Sequence, residues 1–426
     1  MTAGRIQRSD IQLADLPFWE RPLDERAAAF RLLRETEPIA FFEEPPPPLP
    51  AFPQGRGFFA LTRHADVIEA SRRPGDFCSG EGTTIRDQPP FIRELFGSIV
   101  NLDDPRHARM RRIVSYGFTP RALDQLVGQV GRQAREIVDS IATRGEIDFV
   151  DEVAARFPLR VILDLMGIPR SEEDFILERS NIMAGSSDPE YVDQSDPMGI
   201  VTAVLTAANE VLELVGRIAA ERRAHPAGDL ISSLVNANID GESLTPEELS
   251  SFFILLIAAG SETTRTALGH AVLLLSEHPD QRAALLSDID ALLPTAVEEI
   301  VRYSSPVIQF RRTVTRDGVE LAGHTFNAGD KVVLYYPAAN RDPAVFTDPD
   351  RFDVTRDPNP HIGYGGPGPH FCLGAHLARR ELTVMLRELY TRLPDLRVIG
   401  EPDRLRSDFV NGIKHLPVAF TPERAS

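Results

Sequence analysis

The chain has 426 residues, 42% of them hydrophobic, which is enough for a large buried core. Its 46 basic residues face 63 acidic ones, a formal charge of −17, and so acidic a chain is excluded from general nucleic-acid binding, which needs cations to displace phosphate counterions. Two cysteines, Cys78 and Cys372, are too few for a disulfide framework at this length.

The first ten residues are polar and lack the apolar stretch of a secretory leader. Residues 1–25 are expected to form an N-terminal arm. Arg26–Glu35 has helical spacing. Glu43–Pro53, with Pro45–Pro48 inside it, reads as a semi-rigid surface loop, a proline-rich docking segment being the lesser alternative. Phe58–Thr62 reads as a strand. Asp103-Asp104-Pro105 opens a helix that carries Arg106, His107, Arg109, Arg111 and Arg112. Pro120–Arg144 and Val201–Arg223 follow as helices. Cys78 has no chemical setting of its own and is expected to be a small core residue.

Thr245–Glu277 is the longest helical pattern. Thr245-Pro246-Glu247-Glu248 supplies a cap, a proline in the first turn and a capping-box glutamate, and His278-Pro279 ends the run. Within it, Gly260 costs about 1 kcal/mol against alanine. Glu262 and the β-branched Thr263 and Thr264 follow closely. Taken alone, this is a glycine that eases packing beside a solvated acid. A weakened turn would also let water or dioxygen into the hydrogen-bond ladder. The longest purely apolar run, Phe252–Ala259, falls far short of the ~20 residues of a membrane span. A soluble, reduced, cytoplasmic protein is expected.

Thr295–Tyr303 is the next helix. Glu299 and Arg302 share a face there, a pairing worth only a few tenths of a kcal/mol on a surface. Val319–Leu321, Thr325–Phe326 and Lys331–Tyr336 read as strands. Residues 337–371 are rich in Pro, Gly, Asp and Asn, and so long an irregular connection is usually functional. Gly374–Leu393 is the last helix. Helix exceeds strand, the strands are too scattered for a doubly wound sheet, and no internal repeat is present. The fold class is mainly α with a minor β region.

The most informative run is His361 to Arg380, HIGYGGPGPHFCLGAHLARR. Four glycines and two prolines precede Cys372, and a helix starts near Gly374. Glycines let backbone approach a bulky flat ligand. Loop amides and the positive end of the helix both favour thiolate over thiol. One anionic sulfur with room for a porphyrin face suits haem ligation. A buried inert cysteine would leave the glycine spacing unexplained, and a zinc site lacks a second nearby cysteine.

This run resembles the haem-binding loop of cytochrome P450 enzymes, an aromatic–Gly–x–x–Gly–x–His–x–Cys–x–Gly pattern. It departs at one point: Gly365 stands seven positions before the cysteine, and the aromatic Tyr364 one place earlier. A loop of this form is similar to an actinobacterial branch that hydroxylates methyl-branched lipids and sterol side chains. Tyr364 is then expected to cover the sulfur side of the haem. The likeness runs from about Ala60 to Phe420 and is close at Glu69–Pro74, Asn101–Arg106, Phe252–Arg265 and Arg351–Cys372.

The resemblance implies the cytochrome P450 fold as a single haem-containing unit over residues 1–426, with no reductase domain. It implies iron protoporphyrin IX (haem b) ligated by Cys372, with Gly374 opening the helix behind it. His107, Arg111, Arg312 and His370 are expected to contact the haem propionates. In the Ala259–Thr263 run, Gly260 opens the helix, Thr263 hydrogen-bonds dioxygen and Glu262 feeds a proton relay. Glu299 and Arg302 are expected to anchor the cysteine loop with Arg351, or failing that Arg356. Arg106, Arg109 and Arg112 form a solvated basic face, or one that receives an acidic redox protein. Electrons come from a ferredoxin and its ferredoxin reductase. The implied activity is O2-dependent hydroxylation of an apolar substrate, a methyl-branched lipid, isoprenoid or sterol side chain, at a terminal carbon. Glu81–Asn101, Pro158–Asp196, Phe253–Ala258, Pro306–Phe310 and Phe409-Val410 are the candidate pocket segments. A peroxygenase, against which the Glu262-Thr263 pair argues, and a non-catalytic haem sensor, which would need neither a relay nor an electron donor, are the rivals.

Overall fold

The computed structural model describes residues 6–115, 120–239 and 241–424, with side chains outside 120–127. Helix Pro246–Glu277 is the axis of the molecule. Its start is the expected capping box: the Thr245 hydroxyl accepts from the Glu248 amide, and the Glu248 carboxylate accepts from the Thr245 amide at 3.0 Å. From Leu249 to Leu275 most of its residues are buried. A helix apolar on every side must be enclosed, and helices Arg156–Met166, Pro197–Ala224, Ile289–Ser304 and Ala375–Arg392 pack on it.

Helix Pro197–Ala224 is long and apolar enough to cross a membrane by length and composition. One of its faces, through Ala207, Ala208, Val211, Leu214 and Val215, is buried against the rest of the molecule. The helix exceeds the expected Val201–Arg223 because Asp196 caps it, accepting from the amides of Met198 and Gly199.

Strands Ile39–Phe42, Phe58–Leu61, Lys331–Tyr335, Gln309–Val314 and Phe77–Cys78 form the main sheet in that order. Phe59 lies opposite Val332 in the one parallel pairing of this sheet, and Gln309 opposite Tyr335 in an antiparallel one. The segment expected as an arm is part of the core. Ile11, Leu13, Phe18 and Trp19 are buried, and the Trp19 ring stacks on Tyr335 at 6.0 Å.

The irregular stretch from 337 to 371 is held by a buried charge cluster. Arg302 is fully buried and donates to both oxygens of Glu299, at 2.7 and 2.8 Å. It also donates to the carbonyls of Asn340 and Pro349 at 2.8 Å. The third member is Arg356, whose Nε lies 3.1 and 3.2 Å from the Glu299 oxygens. This corrects the first expectation, Arg351. A turn that returns the Arg351 amide to the Asp348 carbonyl leaves the Arg351 side chain outside, 4.0 Å from Asp353. Arg351 contributes only its carbonyl, which accepts from Arg302 and Arg356.

Candidate active site

The cysteine loop, the central helix and the main sheet enclose a cavity of roughly 1670 Å³ of empty space, its open mouth included. Cys372 lies on its wall, its amide donating to the Tyr364 carbonyl at 3.0 Å. The cysteine is accessible, yet protein surrounds it on nearly every side; the surface it exposes is the interior of the cavity. Burial pushes its thiol up, against the pull of the Gly374 amide, Arg111 and Arg379. The sulfur thus has donors arranged for an anion, and a metal cation on its free side would deprotonate it outright.

The glycines of the loop have separate reasons. Gly365 has a φ of 91°, which disfavours any side chain. A Cβ on Gly366 would lie 2.6 Å from the Ser71 hydroxyl, and one on Gly363 would lie 2.7 Å from Val301. The loop therefore lies close against helices His64–Arg72, at Gly366, and Ile289–Ser304, at Gly363. Tyr364 lines the cavity beside Cys372, with the Arg379 guanidinium 4.3 Å from its ring centroid.

His107, Arg111, Arg312 and His370 also line the cavity. The rings of His107 and His370 are 4.4 Å apart. His107 is buried and its Nε2 has no partner, while the Ser79 hydroxyl lies 3.1 Å from His370 Nε2. Burial, followed by Arg312, His107 and Arg111, pushes His370 down to about 3. Arg111 donates to the Phe371 carbonyl at 2.8 Å, and Arg312 to the Arg311 carbonyl at 2.8 Å. Among the described residues, neither arginine has a carboxylate within ion-pair distance. Two guanidinium groups on the cavity wall without an anion, one buried and one half-buried, beside an unsatisfied imidazole, fit a ligand that brings its own carboxylates.

The central helix presents Ala259, Gly260, Thr263 and Thr264 to the cavity. The helix runs unbroken through this turn, and the hydroxyls of Ser261 and Thr263 bond back to the carbonyls of Ile257 and Ala259. A Cβ on Gly260 would lie 2.7 Å from Ile162 Cδ1, so the missing side chain admits helix Arg156–Met166. Glu262 is not on the cavity side with Thr263. It is buried behind the helix, paired with Arg265 at 3.3 Å, and Arg265 also holds Asn181 and Tyr191.

The carboxyl that does line the cavity is Glu381, which the sequence reading passed over. Neither of its oxygens meets a partner with hydrogen-bond geometry. Burial lifts its pKa well above the carboxylate range, only partly offset by the Thr264 hydroxyl. Its signal was present: Leu377, Glu381 and Met385 follow at spacings of four on an apolar face.

The remaining wall is apolar. Ile99, Val100, Ile162, Leu255, Leu256, Pro306, Val307 and Phe310 come from four of the five expected segments, together with Thr83. Phe409 stands behind it, its ring 5.3 Å from that of Phe310. Of the expected basic face, Arg109 pairs with Glu248 at 2.9 Å and Arg112 with Glu242, which leaves Arg106 exposed. Cys78 is only half-buried in its strand, at the margin of the core rather than inside it.

A helical body that turns one enclosed cysteine sulfur and two unpaired arginines into a single apolar cavity is the architecture of a haem-thiolate oxidoreductase. The cytochrome P450 family model matches residues 52–393, and the chain belongs to that family, as a P450 monooxygenase. A methyl-branched lipid omega-hydroxylase of Mycobacterium tuberculosis (strain H37Rv) is 47% identical over 416 residues, 97% of this chain and 95% of its own. A steroid C26-monooxygenase of Mycolicibacterium smegmatis is 37% identical over 97% of this chain and 93% of its own. A Mycobacterium marinum cytochrome P450, solved in complex with pseudoionone, superposes with a TM-score of 0.91 at 36% identity, covering 98% of this chain and all of that one.

Proposed function

We propose that the protein is a cytoplasmic haem b monooxygenase that hydroxylates a terminal carbon of a methyl-branched lipid, isoprenoid or sterol side chain. The observation that carries this reading is the enclosed Cys372 sulfur, sharing an apolar cavity with the two unpaired guanidinium groups of Arg111 and Arg312. The names of the relatives at 47% and 37% identity support the choice of substrate.

Cys372 is the proposed thiolate ligand, with the Gly374 amide stabilising its charge. His107, Arg111, Arg312 and His370 hold the two propionates, the arginines through their planar forks. When bound, haem supplies the activation of dioxygen and the oxidation of the C–H bond. The chain supplies binding, orientation and protons. Thr263, on the cavity side, orients dioxygen through its hydroxyl. Glu262 passes protons forward from the Arg265 side of the helix. Gly260 makes room for helix Arg156–Met166 against the cavity wall, and the apolar wall excludes water and places the substrate's methyl end on the Thr263 side of the cavity. Electrons come from a ferredoxin and its reductase, and the protein needs no membrane span.

The test is a carbon monoxide difference spectrum of the reduced protein, repeated on Cys372→Ser, followed by turnover with branched fatty acids, isoprenoids and sterols. Cys372→Ser should abolish the thiolate-type band. Survival of that band would overturn the ligand assignment. No spectral shift and no product with any of the three substrate classes would sink the lipid reading.

A further inference from the structure

Thr83, the hydroxyl in the otherwise apolar wall formed with Ile99 and Val100, belongs to the segment from 81 to 87. That segment has neither helix nor strand. Such backbone ordinarily moves, because few of its polar groups are fixed. Here four of its carbonyls are fixed from the main sheet. The Arg311 amide donates to the Thr83 carbonyl at 2.9 Å. The Arg311 guanidinium donates to the carbonyls of Glu81 and Thr84, at 3.1 and 3.4 Å, and to the Asp87 carboxylate at 2.6 Å. Lys331 Nζ donates to the Ile85 carbonyl at 3.2 Å and lies 2.6 Å from Glu44 and 2.7 Å from Asp87. The Thr83 hydroxyl donates to Asn101 Oδ1 at 2.6 Å, tying the segment to the turn Ser98–Asn101 that carries Ile99 and Val100.

Arg311 and Lys331 are 3% and 5% exposed. Two buried cations are tolerable only because two carboxylates, Asp87 and Glu44, neutralise them. One of these comes from the proline-rich loop, which thereby gains a fixed point on the sheet. Strands Gln309–Val314 and Lys331–Tyr335 thus extend two charged side chains under an otherwise unstructured loop.

We propose that Arg311, Lys331, Asp87 and Glu44 are positioning residues that hold the Thr83–Ile99–Val100 wall rigid, so that the enzyme selects among apolar chains by their branching. This rests on the active-site reading above. A wall that cannot yield separates branched from straight chains by fit, and one that can yield accepts both. Asp87 is the diagnostic position, since it alone touches both cations and belongs to the loop.

The test uses haem-loaded wild type, Asp87→Asn and Asp87→Glu. Hydrogen exchange is followed at the amides of residues 81–87. Binding is titrated spectrally with straight and branched N-alkylimidazoles, whose nitrogen ligates the haem iron whatever the natural substrate. Wild type should discriminate between the two chain types. Asp87→Asn should raise exchange and cut that discrimination about tenfold, since an amide cannot neutralise either cation. Asp87→Glu should restore both. If Asp87→Asn does not fold, Glu44→Gln is read in the same way. Three results would overturn the proposal: no discrimination by wild type, faster exchange with discrimination unchanged, or lost discrimination with exchange unchanged. Absence of lipid hydroxylation with the azole results as expected would sink the substrate reading and leave the positioning role standing.

Discussion

Three glutamates, two of them buried and one half-buried, show how differently one side chain can be treated. Glu299 is met by Arg302, Arg356, Asn359 and the Asp353 amide. Removing one cation from such a set leaves an uncompensated buried charge, at about 3–5 kcal/mol. Arg356→Ala should therefore lower the thermal midpoint and the haem content. Arg351→Ala, whose lost side chain is exposed, should change stability by less than about 0.5 kcal/mol. Equal effects of the two, measured by thermal unfolding and haem retention, would refute the corrected assignment. Glu298 is intermediate: burial would raise it, but hydrogen bonds from His361 and Arg379 bring it down to about 2. Glu381 has no cation. Its folded pKa is raised, so its contribution favours folding fully only below about pH 4.5, where the unfolded chain is also protonated, and is lost as pH rises. Glu381→Gln should thus raise stability at pH 8 and do little at pH 4, as read by denaturant midpoints. A uniform effect across that range would show that the carboxyl is not held protonated.

At the scale of elements, the central helix was legible almost to the residue, because its cap, its proline and its ending are local features. The strand Gln309–Val314 was not. Arg311 and Arg312 interrupt its apolar alternation, and only the tertiary partners of the pair, the half-buried Asp87 and the cavity, explain why two arginines sit inside a sheet. Helix Arg156–Met166 was hidden by Pro158 near its start, although Arg156, Arg160 and Asp164 recur every four residues on its one polar face. The site divides in the same way. Cys372 and its loop could be read from glycine spacing. Glu262 facing away from Thr263 could not, because the partners that turn it, Arg265 and Tyr191, are ordinary residues in sequence. The contact of Gly260 with Ile162 gives a test at this scale. Gly260→Ala gains about 1 kcal/mol of helix propensity but must displace Ile162 Cδ1. Ile162→Val alone should cost about 0.5–1.5 kcal/mol, and in the Gly260→Ala background that cost should shrink or reverse. A double-mutant cycle with no coupling would show that the two helices do not meet at this glycine.

For the molecule as a whole, stability is squeezed from both sides of neutral pH by groups the core keeps uncharged. His270 lies fully enclosed in the central helix, one ring nitrogen 2.8 Å from the Asn411 carbonyl. Burial, with Arg404 and Arg26 nearby, pushes it down to about 3. The sign follows directly. Between pH 6.5 and about 3 the unfolded chain binds a proton on this residue and the folded chain does not. The stabilisation is whole above 6.5 and is lost progressively as pH falls through that window. Glu298 adds a second loss from about 4.5 down to about 2. Glu381 opposes them, because its cost grows as pH rises. By pH 5 the His270 loss should reach about 2 kcal/mol, at about 1.4 kcal/mol for each pH unit below 6.5. His270→Asn removes the titration while leaving a side chain that can donate to Asn411. Denaturant unfolding at pH 7 and pH 5 should show the variant less stable than wild type at pH 7, with a smaller loss on acidification. An identical loss in both proteins would mean that His270 is protonated in the folded state, and that the end of the helix where it lies opens to water long before the molecule unfolds.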